Sequence, residues 1–153
     1  MVQTPMDISQ ITDQLYVAAH PKADAADAIR DMNVRLILNM IFFRPADVYR
    51  QPPFQMLTLR TFDSIFLPIP ICKLVRGVEA ALPVLEKGEG VLVYCREGRH
   101  RSVAMAASVL IGQGHSAEQA MQLISTKRAK ADPYAWHIQR QIRKFEQVWH
   151  KKH

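Results

Sequence analysis

Four short apolar runs mark the first two thirds of the chain, and the stretches between them repeat their apolar residues at helical spacing. LYVA (15–18), VRLILN (34–39), QMLTL (55–59) and VLVY (91–94) are rich in β-branched or aromatic residues and have the length of strands. ADAADAIRDM, between the first two runs, is helix-like. Between the last two, Leu74, Val78, Ala81, Leu82 and Leu85 recur every three or four residues, and Pro83 is expected to kink or restart that helix.

From 102 to 112 the sequence SVAMAASVLIG is apolar on nearly every face, which predicts a helix buried centrally in the fold. Ser116 and Gln119 have capping-box spacing ahead of AMQLI, and a last amphipathic stretch runs over about 134–150. Trp136 and Trp149 on it read as core packing. No repeat or Gly/Ser linker divides the chain, and the loop-like cluster RPADVYRQPP (44–53) is too short to separate domains. Strands alternating with helices, then helices alone, predict a single α/β domain over 1–153. Its central, mostly parallel sheet of about four to five strands is flanked by helices, with a ligand site outside the carboxyl ends of the strands.

Composition narrows the setting. With 153 residues and 48% of them hydrophobic, the chain can bury a core without staples. No run approaches the roughly 18 apolar residues of a spanning helix. The opening MVQTPMDISQ lacks a basic segment followed by an apolar one, so a cytoplasmic protein without a membrane span is expected. Cys72 and Cys95 are too few for a disulfide framework and would be free thiols in a reducing compartment. A net charge of +6 favours an anionic partner.

The segment CREGRHRS (95–102) stands where an apolar strand gives way to the buried helix. Loop N–H groups of Arg96, Glu97, Gly98, Arg99, His100 and Arg101 would converge there with the positive end of the helix dipole, which suits a phosphoryl group. The same setting favours the thiolate of Cys95, a nucleophile. Arg101, six residues after it, can return to the mouth of the loop and clamp two phosphoryl oxygens with its planar fork. Ser102 can hydrogen-bond the sulfur and help it leave.

A thiolate attacking phosphorus needs an acid for the departing oxygen. Between the Pro-rich segment and Cys95 the carboxylates are Asp63, Glu79, Glu86 and Glu89, and the last three fall in the predicted helix or just after it. Asp63 follows the strand QMLTL, on the same rim as Cys95, and is the acid by elimination; as a carboxylate it could then activate the hydrolytic water. No cofactor or metal is called for, and no His/Cys/Asp cluster has ligand spacing along the chain.

Cys-x5-Arg-Ser after an apolar strand resembles the signature of the protein tyrosine phosphatases, and CREG followed by RS is most similar to their small dual-specificity members. Asp63 precedes Cys95 by 32 residues, similar to the family's interval between acid and nucleophile. ITDQLYVAA, VRLILN, GHSAEQAM and QIRKFE also sit where its recurrent segments do, so the likeness covers about 8–147. The resemblance implies a phosphatase acting through a phosphocysteine on phosphotyrosine, and on phosphoserine or phosphothreonine, in a protein or peptide partner. Where the family usually has His before the nucleophile, this chain has Tyr94, whose hydroxyl is the available substitute for orienting the loop. The family's Asn-containing segment appears only as ADPYAWHIQRQI, so Gln141 is assigned no catalytic role.

Two other readings stand beside this one. Arg96, Arg99 and the positive charge suit other anionic phosphate esters, a phosphoinositide or an RNA 5′-phosphate, although nucleic acid is not the expected partner. A non-enzymatic phosphate-binding module would follow if Tyr94 left Cys95 protonated. Cys72 reads as a small buried apolar residue, and His20, His115, His137 and His150 as surface or turn residues without partners.

Overall fold

The computed structural model describes residues 6–153; residues 1–5, part of the opening stretch read for a leader, lie outside them. In chain order the strands are β1 (Ile8–Gln10), β2 (Leu15–Ala18), β3 (Val34–Asn39), β4 (Gln55–Thr58) and β5 (Gly90–Tyr94). The helices are α1 (Ala26–Asp31), α2 (Ile71–Glu86), α3 (Arg101–Gly112), α4 (Ala117–Lys127) and α5 (Trp136–Lys152). One five-stranded sheet runs in the order β1-β2-β5-β3-β4. Its pairings are parallel except for β1, which pairs antiparallel to β2 with Ile8 opposite Ala18.

Every residue of β2 and β5 is buried, as expected of parallel strands covered on both faces, and this is why they read as unbroken apolar runs. β1 was not apparent as a strand: its three residues ISQ carry no alternation, and it forms by pairing with the edge of β2. α3 is the central helix that the sequence predicts, with ten of its twelve residues buried, and it packs against α2, α4, α5, β2 and β5. Two glycines let α2 and α3 come close. A Cβ on Gly77 would lie 2.5 Å from the Met105 sulfur, and one on Gly112 2.6 Å from Cγ1 of Val78. The capping box of α4 is formed, with the Gln119 N–H donating to Ser116 Oγ and the Ser116 N–H to Gln119 Oε1.

Three expectations are corrected. α2 runs from Ile71 to Glu86 through Pro83 without restarting. Pro83 and Glu79, whose carbonyl loses its usual donor, are both exposed, so water can meet the freed group. Cys72 is exposed rather than buried, and Trp136 is 60% exposed, whereas Trp149 packs as expected.

The parallel strands bring their carboxyl ends to one edge, where backbone hydrogen bonds join them. The Met40 N–H donates to the Tyr94 carbonyl and the Leu59 N–H to that of Asn39. The segments that leave β3, β4 and β5 therefore start side by side.

Candidate active site

β5 ends at Tyr94 and α3 begins at Arg101, so the six residues between them form a tight loop whose amides face one centre. Cys95 is buried at its base. Its Sγ lies 3.1 Å from Ser102 Oγ and accepts the Gly98 N–H at 3.3 Å. Among the described residues, the amides of Arg96, Glu97, Arg99, His100 and Arg101 have no acceptor within the chain, the arrangement that a bound oxyanion would satisfy. Gly98 has φ of 68°, and a Cβ there would lie 2.7 Å from the carbonyl carbon and oxygen of Ala18. Both the backbone conformation and the lack of space demand glycine.

Above the loop is a cleft of about 470 Å³ lined by Asp63, Cys95, Arg96, Glu97, Arg99, His100 and Arg101. Of the other residues expected at the site, Gly98 and Ser102 do not line the cleft but meet the Cys95 sulfur through the Gly98 N–H and the Ser102 hydroxyl. Arg101 donates from Nη1 to the Thr61 carbonyl at 2.9 Å, and its buried Nε has no partner among the described residues. Thr61 is in turn anchored to Met40, its hydroxyl donating to that carbonyl at 2.6 Å. One arginine therefore joins the cysteine loop to the segment that carries Asp63. Asp63 is exposed, with Oδ1 3.4 Å from His100 Nδ1.

Tyr94 does not take over the role of the family's histidine. Its hydroxyl is buried without a hydrogen-bond partner among the described residues, and its ring stacks on His20 with centroids 5.4 Å apart. Burial, with a smaller contribution from Tyr49, pushes its phenol far above the ordinary value, so the group stays neutral. His20 is held below its usual value by burial.

The loop is oriented instead by Arg128, which the sequence did not mark out. Its side chain is almost wholly buried. Nε donates to the Gly98 carbonyl at 2.8 Å and Nη2 to that of Glu97 at 3.0 Å. Nη1 donates to Ser9 Oγ at 3.0 Å and pairs with Asp7 Oδ1 at 2.9 Å. Within STKRAKAD every cation looks solvated, and nothing local distinguishes this one. His137, read as lacking a partner, is likewise within 3.9 Å of Asp63 Oδ1.

Aromatic and aliphatic side chains stand exposed around this edge. Phe42 and Phe43 follow β3, and Phe62, Ile65, Phe66 and Leu67 flank Asp63. The rings of Phe42 and Phe62 touch, with centroids 4.8 Å apart, so the two segments form one rim.

No protein-family model matches the chain. It is 27% identical over 151 residues to Dual specificity phosphatase 28 of Mus musculus, covering 94% of this chain and 86% of that protein. It is 32% identical over 110 residues to Phosphatidylglycerophosphatase and protein-tyrosine phosphatase 1 of Rattus norvegicus, covering 66% of this chain but only 56% of that relative. Among solved structures, a mouse putative dual specificity phosphatase complexed with zinc tungstate superposes with a TM-score of 0.87 at 24% identity, covering 99% of this chain and 94% of that one.

Proposed function

We propose, because this chain belongs to the small dual-specificity phosphatases of the cysteine-dependent protein tyrosine phosphatase superfamily, that it hydrolyses phosphate monoesters through a phosphocysteine on Cys95. The observation that carries this reading is the position of Cys95 Sγ at the base of the cleft, between Ser102 Oγ and the Gly98 N–H. The free amides and Arg101 bind the phosphoryl oxygens and meet the charge that develops on them. The Cys95 thiolate forms the S–P bond as the P–O ester bond breaks, and the Asp63 carboxyl gives its proton to the leaving oxygen. Water then attacks phosphorus and passes a proton to the Asp63 carboxylate. The S–P bond breaks and inorganic phosphate leaves, with the Ser102 hydroxyl stabilising the returning thiolate.

We take residues 1–153 as one phosphatase domain and a phosphorylated protein or peptide as its substrate, with phosphotyrosine first and phosphoserine or phosphothreonine admitted by a shallow cleft. A reducing cytoplasm suits a mechanism that needs Cys95 as a free thiol. Among the described residues no helix is long and apolar enough to cross a membrane. Acid quench of a single turnover followed by peptide mass spectrometry tests the intermediate: phosphate is expected on Cys95, and phosphate on another residue would sink the scheme.

The apolar rim favours one alternative substrate, a phosphate ester displayed by a lipid. Phe43 and Phe66 are exposed on segments that leave β3 and β4 at the sheet edge where β5 gives way to the basic loop carrying Arg96 and Arg99, a combination that suits an anionic bilayer surface. Comparing phosphopeptides, phosphoinositide vesicles and 5′-phosphorylated RNA separates the readings; lipid turnover no faster than peptide turnover rejects the alternative.

A further inference from the structure

The fold gathers Asp63, His100 and His137, each 37 residues from the next, so that one ligand atom of each lies within 4.8 Å of the others. Asp63 Oδ1 is 3.4 Å from His100 Nδ1 and 3.9 Å from His137 Nε2. A tetrahedral zinc ion with bonds of about 2.0–2.1 Å sets its donor atoms about 3.3–3.4 Å apart, so small side-chain adjustments close this triangle on an ion. The far side of His100 is also prepared. Its Nε2 lies 3.5 Å from Asp132 Oδ2, and the Asp132 N–H donates to the Arg99 carbonyl at 3.0 Å. A ligating imidazole normally has such a carboxylate behind it, fixing the tautomer that presents the lone pair. The ring of His137 is held edge-on between His100 and Trp136.

We propose that Asp63, His100 and His137 form an inhibitory site for a zinc-class divalent cation, with Asp132 positioning His100 from behind. Two imidazole nitrogens and one carboxylate oxygen select zinc and its neighbours over magnesium or calcium, which prefer oxygen. Asp63 and His100 line the cleft, so the fourth coordination position opens toward it and accepts water or an oxyanion. Binding of the ion stands on geometry alone. The inhibition rests on the reading of Asp63 as the proton donor, because a carboxylate oxygen committed to a metal carries no proton to the leaving group.

Calorimetric titration of zinc into the full chain carrying Cys72→Ser and Cys95→Ser, which removes competing thiols, tests the site directly. One ion per chain is expected. His137→Ala should weaken binding at least tenfold, Asp132→Asn by about 10- to 100-fold, and magnesium should not bind. Absence of zinc binding to the thiol-free chain, or an affinity indifferent to both substitutions, overturns the site. Inhibition is then read in chains that retain Cys95, each relative to its own metal-free rate. The half-inhibiting zinc concentration should rise in His137→Ala by the factor found calorimetrically. An unchanged value means that the inhibiting ion sits elsewhere and overturns the inhibitory role. Zinc binding by a chain that proves inert toward every phosphate ester would uphold the site while rejecting the catalytic reading.

Discussion

Arg128 donates to the carbonyl of Gly98 at 2.8 Å from a position 30 residues downstream, and so holds the back of the cysteine loop through a side chain that never reaches the cleft. With Glu97 held by the same guanidinium, two consecutive loop carbonyls turn inward to Arg128, while the neighbouring amides meet no acceptor among the described residues and are open to an anion. The free amides and the buried arginine are two sides of one arrangement.

Replacing Arg128 by Met removes the fork and leaves Asp7 and two loop carbonyls without it. Asp7 is exposed and can turn to water, so the cost falls on the two loop carbonyls and should be about 1–3 kcal/mol, read as a lower urea midpoint. Arg128→Lys keeps the charge but cannot serve both carbonyls. It should remain folded and lose about 10- to 100-fold in kcat/KM through misplacement of the loop. A lysine variant with unaltered kcat/KM would show that the loop holds its shape without Arg128.

Asp7 adds a pH dependence to the same contact. Burial alone would raise its carboxyl, but hydrogen bonds from Lys130 and Arg128 hold it below the usual carboxylate value. Its native form therefore binds fewer protons than the unfolded chain over that interval. The stabilisation is complete above the unfolded value of about 3.9 and is lost as pH falls through the lower native one. Thermal melts between pH 5 and pH 2 should show a steeper loss in the parent than in Asp7→Asn; parallel curves would remove Asp7 from the account.

Tyr94 carries a buried hydroxyl that finds no partner among the described residues. An unsatisfied buried hydroxyl costs about 1–3 kcal/mol, so Tyr94→Phe should raise stability by about 1 kcal/mol and leave turnover within a few-fold. A large loss of turnover would mean that the hydroxyl orients the loop after all.

Asp63→Asn tests the acid. The loss in kcat should reach about 10²–10⁴-fold for phosphate esters with poor leaving groups and be small for an activated aryl phosphate. Equal losses for both would remove proton donation from its role.

What was legible in the sequence was local. Cys95, Arg101 and Ser102 fall within eight consecutive residues between a strand and a buried helix, so their geometry follows from that one junction. Asp63 was reachable because the strand before it fixes the rim on which it lies. Arg128, Asp132 and His137 were not, since each takes its meaning from a contact that only the folded chain creates. Cys72 and Trp136 are exposed against expectation for a simpler reason. Each precedes the first buried residue of its helical stripe, Leu74 or Ile138, by two positions, and residues two apart on a helix do not share a face.

The decisive experiment on Cys95 as nucleophile is turnover of a generic aryl phosphate in the presence of a chelator, by the parent chain and by Cys95→Ser. Turnover is expected from the parent and none above background from the folded serine variant, because the oxygen nucleophile lacks an activating base. Equal rates for both, or a folded parent that is inert, would contradict that role of Cys95.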